Sequence, residues 1–265
     1  MKSPDFRDVD GSDPAAAVAF LDLTERVGGR DKRRNVELLG VLPGDVVLDV
    51  GCGVGLQSAA LARLAGPSGR VVACDMSRAM LAEARSRHRA ATLMFGRFDV
   101  CALPVGDGRF DRVHVQRVLH CLPDPGRAMA EIVRVTRPCG RVMVAEPDWG
   151  SVTIAGGSAE LTGRIIDHAL PDEHPTRIGC RLDRFAAAHG AEVELCEARH
   201  TVLTDFATAH DLLGLTGFAF RAMRRGVVDR ADATAWLRSL VDASRRGALT
   251  CSISGQVVVA RSRGG

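Results

Sequence analysis

Residues 46–57 read VVLDVGCGVGLQ: a continuous run, apolar but for Asp49, carries the chain into Gly51-x-Gly53-x-Gly55, and a stretch of small residues follows. A short continuous apolar run closed by glycines is the pattern of a strand buried on both faces. Glycine lets the backbone turn sharply and approach a ligand with no Cβ in the way. A strand, such a turn and then a helix put that ligand at the carboxyl end of a parallel sheet. This segment constrains the chain more than any other.

The same rhythm continues on both sides of it. Residues 14–40 are helical in pattern through Val18, Phe20, Leu21, Leu23 and Val27. Gly28-Gly29 predict a break there, with a second helix through Val36, Leu38 and Leu39 stopping near Pro43-Gly44. Beyond the glycine turn, LQSAALARLA predicts a helix ended by Gly66-Pro67. RVVACD (70–75), TLMFGR (92–97), FDRVHVQ (110–116) and RVMVAE (141–146) read as further strands. Ser77 caps a helix over AMLAEARSRH, and Pro138 stops one over DPGRAMAEIVRVT. Alternating strands and helices need crossovers, hence a parallel, doubly wound α/β sheet.

After residue 150 the pattern changes. Helices are predicted over 158–170 and 177–189, and VELCEARHTVLT (193–204) alternates as a long, half-exposed strand. Amphipathic helices follow over 205–225, ended by Gly226, and over 230–246, with Asp229 as cap and Gly247 as stop. TCSISGQVVVARS closes the chain as a strand. Two strands separated by a helical excursion can pair antiparallel at a sheet edge. The 265 residues therefore read as a single domain over 1–265. It has an N-terminal helical segment (1–40) and helical, substrate-covering insertions at 150–190 and 205–246.

Composition narrows the function classes. With 46% hydrophobic residues, 25% charged and a net charge of +3, the chain is neither disordered nor a strongly basic nucleic-acid coat. Only Lys2 and Lys32 are lysines among the 35 basic residues. A guanidinium suits phosphate and carboxylate. These arginines are spread along the chain, however, and pairs such as Arg224-Arg225 and Arg245-Arg246 end helices, where positive charge complements the dipole. Cys52, Cys74, Cys101, Cys121, Cys139, Cys180, Cys196 and Cys251 form no CxxC and no zinc spacing, and read as small core residues of a reducing cytosol. No apolar run has signal-peptide or membrane-span character, so a cytoplasmic protein without a membrane partner is expected.

The glycine turn departs from the dinucleotide fingerprint G-x-G-x-x-G: position 56 is Leu, and the third glycine falls at 55. Asp49 precedes the first glycine by two residues, where a pyrophosphate gains nothing and an ammonium gains a partner. Asp75 ends the second strand, where an acid accepts both hydroxyls of a ribose. Asp99 follows the third strand, where it can accept from an adenine amino group. An adenosine joined to an amino acid, with no phosphate, is S-adenosylmethionine.

The stretches VVLDVGCGVG, VVACDMS, FDVCALP and FDRVHVQRVLHCLPDPGRAMAEIVRVTRPCGRVMVAEPDW resemble the class I S-adenosylmethionine-dependent methyltransferases. They are similar to the subgroup that includes ubiquinone/menaquinone C-methyltransferase-like enzymes and many bacterial natural-product methyltransferases. The resemblance is strong over 35–150 and weak beyond. It implies a seven-stranded mixed sheet of order 3-2-1-4-5-7-6 with strand seven antiparallel. It also implies that Asp49, Gly51, Cys52 and Gly53 hold the methionine and ribose part, and that Asp75 holds the ribose diol. Met76 then lies beside the adenine, Asp99 and Val100 hold its edge, and Gln116 sits beside the sulfonium. Cys139, in RPCGR, stands where the family usually has Pro-Gly-Gly.

For the acceptor, His120 in VLHCLPDP has the best address for a catalytic base, just beyond strand four. Asp148 and Trp149 follow strand five, His168 and His174 lie in the covering segment, and Phe218 belongs to an apolar stripe of the 205–225 helix; these are the candidate pocket residues. Nucleic-acid methylation is disfavoured. Gln116-Arg117-Val118-Leu119 replaces the Asn/Asp-Pro-Pro-aromatic motif, Pro138-Cys139 is misplaced for a cytosine nucleophile, and positive charge is not concentrated. No Asp-Asn pair supports a catechol-type metal site, so no metal is expected. The expectation is a monomeric or homodimeric enzyme methylating O, N or C of a small hydrophobic metabolite. A cyclase or isomerase on the same fold, or a NAD-dependent oxidoreductase, are the rivals.

Overall fold

Asp13 begins the first element, its side chain accepting from the Ala16 amide at 3.0 Å with Pro14 next in line. The computed structural model describes residues 8–169 and 175–263, and in it α1 runs unbroken over Pro14–Leu39. The break predicted at Gly28-Gly29 is absent. Two glycines cost a helix about 1 kcal/mol each relative to alanine, and the buried face of Phe20, Val36 and Leu39 outweighs that. The helix ends instead at Gly40, in the left-handed region at φ 67.

The strands are β1 (Val46–Val50), β2 (Arg70–Cys74), β3 (Leu93–Gly96), β4 (Phe110–Gln116), β5 (Thr136–Ala155), β6 (Ala191–Leu203) and β7 (Thr250–Ser262). They form one sheet of order β3-β2-β1-β4-β5-β7-β6, with β7 antiparallel to both neighbours. The expected order is therefore correct. Helices α2 (Leu56–Ala65), α3 (Arg78–Arg87) and α4 (Pro125–Val135) fill the crossovers. Val47, Leu61, Ala73 and Met143 are buried on one face of the sheet, and Leu48, Val113, Met129 and Ile132 on the other. Burial on both faces is what made VVLDV, apart from Asp49, read as a continuous apolar run.

β5 is far longer than the six residues expected. It continues to Ala155 because β7 pairs along it on both sides of a register shift between Asp148 and Thr153. Asp148 and Trp149 thus belong to an extended strand rather than a loop. This projecting β5–β7 pair carries a helical cap made of α5 (Ala159–Ala169), α8 (Leu215–Arg224) and α9 (Arg230–Arg245), preceded by α7 (Phe206–Leu213). The cap has its own core of Ile165, Phe218, Trp236 and Leu240, all at most 1% exposed. The Trp236 indole donates to Thr162 Oγ1 at 2.9 Å, which satisfies its one polar group. The single helix predicted over 205–225 is two, because Gly214 adopts φ 71 and its amide caps α7 on the His210 carbonyl. The helix predicted over 177–189 is a 3-10 turn at Pro175–Cys180 followed by α6 (Leu182–Ala188).

Candidate active site

Gly51 and Gly53 both lie in the left-handed region, at φ 64 and 52. A Cβ on Gly51 would stand 2.3 Å from Val118 Cγ2, and one on Gly53 2.9 Å from Leu21 Cδ1. The turn is thus clamped between α1 and the residues after β4, with no room for a side chain at either glycine. The Gly53 amide donates to Asp75 Oδ2 and the Ser77 amide to Asp75 Oδ1, each at 2.9 Å. Burial pushes the Asp75 carboxyl above the usual carboxylate range, against the pull of those amides. Each carboxylate oxygen has a further lone pair for a ribose hydroxyl. Met76 is 51% exposed at the same edge, its carbonyl held by Arg97 Nε at 2.8 Å. Asp99 caps the 3-10 turn Val100–Ala102 through the Cys101 amide at 2.8 Å, and Val100 is buried beneath it. An apolar platform between two edge acids, beside a glycine-rich turn, fits an adenosine.

Asp49 stands near the end of β1, directly before the turn. Its carboxylate is buried below the turn, bonded to Ser58 Oγ at 2.5 Å and to His114 Nδ1 at 2.7 Å. It braces the start of α2 and the middle of β4. Cys52, between the glycines, is buried. Burial, then the Asp49 and Asp75 carboxylates, drives its thiol pKa upward, so it stays un-ionised.

Glu146, near the point where β5 leaves the parallel part of the sheet, organises the turn after β4. Its Oε1 accepts from the Val118 and Leu119 amides, both at 2.8 Å, and its Oε2 meets His120 Nδ1 at 2.5 Å. The Glu146 side chain is fully buried. The chain of contact therefore runs from Glu146 through Val118 to Gly51. Sequence reasoning missed Glu146, which lies 26 residues from its partners. His120 Nε2 lies 3.3 Å from Cys121 Sγ, so both ring nitrogens are engaged within the turn. Burial lowers the His120 pKa, but the Glu146 carboxylate and the Cys121 contact outweigh it and push the group up to about 9. At neutral pH the ring already holds its proton, the wrong state for a base.

A cavity of about 150 Å³ opens between α1, the end of β4, the middles of β5 and β7, the end of β6, and α7. Gln116, Glu146 and Trp149 line it, together with Thr24, Lys32 and Asn35 from α1. Arg117, next to Gln116, also lines it and stands at φ 61, one of two non-glycine residues in that region. Lys32 is buried, its Nζ held by Thr24 Oγ1 at 2.9 Å and Glu25 at 3.3 Å. The α1 residues were not foreseen. The available signal was polar Thr24, Lys32 and Asn35 at helical spacing beside buried Phe20 and Val36.

Of the expected pocket residues, Trp149 lines the cavity, its ring 6.5 Å from that of His120. Asp148 Oδ1 accepts from the Gly150 amide at 3.0 Å and braces a local turn. His168 is exposed on α5, bonded to the Arg164 carbonyl. Phe218 is packed in the cap core, away from the cavity lining, because its helix turns that stripe toward Trp236. His174 lies outside the described residues. Among the described residues no cluster of histidine, cysteine and acids could hold a metal, and no helix is long and apolar enough to cross a membrane.

The sheet order, the glycine-rich turn and the acids following β2 and β3 together define the Rossmann-like methyltransferase class. Comparison with known proteins agrees. A methyltransferase-domain family model matches residues 48–144. An uncharacterized 37.1 kDa protein in transposon TN4556 of Streptomyces fradiae is 33% identical over 252 residues, covering 92% of this chain and 71% of that protein. The demethylmenaquinone methyltransferase of Beutenbergia cavernae is 38% identical over 121 residues, 44% of this chain and 48% of the enzyme. The match thus spans about half the length of that quinone methyltransferase. Among solved structures, the (4+2)-cyclase SpnF superposes with a TM-score of 0.57 at 20% identity, covering 100% of this chain and 98% of that one. The chain belongs to the class I S-adenosylmethionine-dependent methyltransferases, and its cofactor is S-adenosyl-L-methionine.

Proposed function

We propose that the protein transfers the methyl group of S-adenosylmethionine to an oxygen, nitrogen or carbon atom of a small, largely hydrophobic metabolite. The observation that carries this reading is the cavity at the carboxyl edge of the sheet. It lies beside Gln116 and is walled by Trp149 and by Leu212 and Leu213 of α7, the helix that leads into the cap. The bound cofactor supplies an electrophilic methyl on a sulfonium. Asp75 receives the ribose hydroxyls, Met76 and Asp99 receive the adenine, and Gln116 faces the reacting end. The cap excludes water and holds the acceptor in line, and orientation of this kind can supply about 7–11 kcal/mol of a barrier.

No proton transfer through His120 is part of this reading, since both its ring nitrogens are engaged in the turn. His120 and Glu146 instead position Val118 against the glycine turn. The resemblance to quinone and natural-product methyltransferases supports a hydrophobic acceptor and a place in specialised metabolism. A soluble enzyme working in the cytoplasm is the setting we assign.

A second reading has one observation in its favour, the likeness to a cyclase over the full chain. Incubation with methyl-labelled S-adenosylmethionine and a panel of aromatic and prenyl-type acceptors separates the two. Label appearing in a product heavier by one methylene supports methyl transfer. Label retained on the cofactor while a substrate changes at constant mass supports cyclisation and refutes it.

A further inference from the structure

Arg117 is the cation of the cavity wall that its surroundings do not balance. Lys32 is paired with Glu25, and Arg199 forms an ion pair with Glu197 although its buried Nε has no hydrogen-bond partner. Among the described residues no carboxylate comes within ion-pair distance of Arg117, and its side chain makes no hydrogen bond to any of them. Its charge rests over the Phe20 ring, 5.6 Å from the centroid. Glu146 lines the same cavity, but its two oxygens serve the Val118 and Leu119 amides and the His120 ring. Asp31 lines the wall without pairing to any of these cations.

The backbone at Arg117 adds a second observation. A residue with a Cβ at φ 61 is strained, and glycine or asparagine would fit the bend with less cost. Strain of this kind persists where a side chain is wanted in one particular place. A third observation lies across the cavity. Asn35, 3% exposed, and Gln116 each hold a buried amide oxygen with no hydrogen-bond partner. Buried polar groups left open in this way await a ligand. An unpaired guanidinium in a partly desolvated wall awaits an anion, and its fork matches a carboxylate in two-point contact.

We propose that Arg117 is the anion-recognising residue of the acceptor cavity: the acceptor presents a carboxylate to the guanidinium while its hydrogen-bond donors are taken by Asn35 and Gln116. The inference rests on the reading of this cavity as the acceptor site, and it narrows the substrate class from hydrophobic metabolites to hydrophobic acids. The cofactor also carries a carboxylate, and the test separates the two sources.

Wild type, Arg117→Gln and Arg117→Lys are titrated calorimetrically with S-adenosylhomocysteine, then, saturated with it, with benzoate and with its uncharged isostere benzamide at constant ionic strength. Benzoate should bind wild type about tenfold more tightly than benzamide, a preference Arg117→Gln abolishes and Arg117→Lys partly keeps. Affinity for S-adenosylhomocysteine should change by no more than about twofold in either variant, which also establishes that each is folded. Equal binding of benzoate and benzamide by wild type overturns the anion site and leaves the methyltransferase reading standing. So does a benzoate preference that survives in Arg117→Gln. A loss of about tenfold or more in S-adenosylhomocysteine affinity with the benzoate preference intact assigns Arg117 to the cofactor's carboxylate and equally overturns the proposal. No binding of S-adenosylhomocysteine by wild type overturns the methyltransferase reading itself, and this inference with it.

Discussion

Replacing Glu146 by glutamine takes one negative charge out of a fully buried position 2.5 Å from His120 Nδ1 while keeping an oxygen for the Val118 and Leu119 amides. In the wild type, burial alone would lower the His120 pKa below the ordinary 6.5, yet the group stands at about 9 because the carboxylate outweighs burial. A displacement of that size corresponds to about 3 kcal/mol of preference for the charged ring. Without the carboxylate only the Cys121 contact still opposes burial, and the midpoint should fall well below the wild-type value. Since the folded pKa lies above the unfolded one, the stabilisation is complete below about pH 6.5 and is lost as pH rises through about 9. The assay is an NMR titration of the His120 ring in both proteins, with denaturant unfolding at pH 6 and pH 9.5. Wild type should titrate near the alkaline value and lose stability between the two pH values; Glu146→Gln should titrate well below the wild-type midpoint and lose less. A midpoint unmoved by the substitution would refute the reasoning, as would a wild-type midpoint near 6.5.

Other outcomes follow from the same contacts. Asp75→Ala should weaken S-adenosylhomocysteine binding by about 1–3 kcal/mol, from ribose hydroxyls left unpaired and a loosened Gly53 amide; calorimetry showing unchanged affinity counts against the ribose assignment. Cys139 stands at φ 60, so Cys139→Gly should stabilise the fold by about 1 kcal/mol, read as a melting temperature higher by about 2–4 °C. A lower melting temperature would show that the thiol contributes more than the strain costs. Trp236→Ala should destabilise the cap by about 3–5 kcal/mol, and protease nicking confined to 156–246 would locate the damage there; cleavage spread over the sheet would mean the cap has no core of its own.

Much of the fold was legible because local chemistry and tertiary fate coincide there. VVLDV is apolar at every position but Asp49 since helices cover both faces, and the following glycines are required by the close approach of Val118 and Leu21. Asp75 and Asp99 come after strands, so their places follow from the strand ends. Glycine inside a helical pattern was less informative. Gly28-Gly29 stay helical and Gly214 does not, and the difference lies in whether packing demands a left-handed residue, which the local sequence does not reveal. The spacing of Asp49 from the turn is legible in the sequence, but its bonds to Ser58 and His114 are not, since they join residues 9 and 65 positions away. The pairing of Glu146 with His120 and the convergence of Asn35 with Arg117 join residues far apart in the chain, and no periodicity encodes them.

The central claim, that the carboxyl edge of this sheet binds the nucleoside of S-adenosylmethionine, is tested most directly by thermal unfolding with S-adenosylhomocysteine or NAD present. S-adenosylhomocysteine at about 100 times its Kd should add about 2.7 kcal/mol of stability, while NAD at the same concentration leaves the transition unmoved. Stabilisation by NAD with none from S-adenosylhomocysteine would contradict the account.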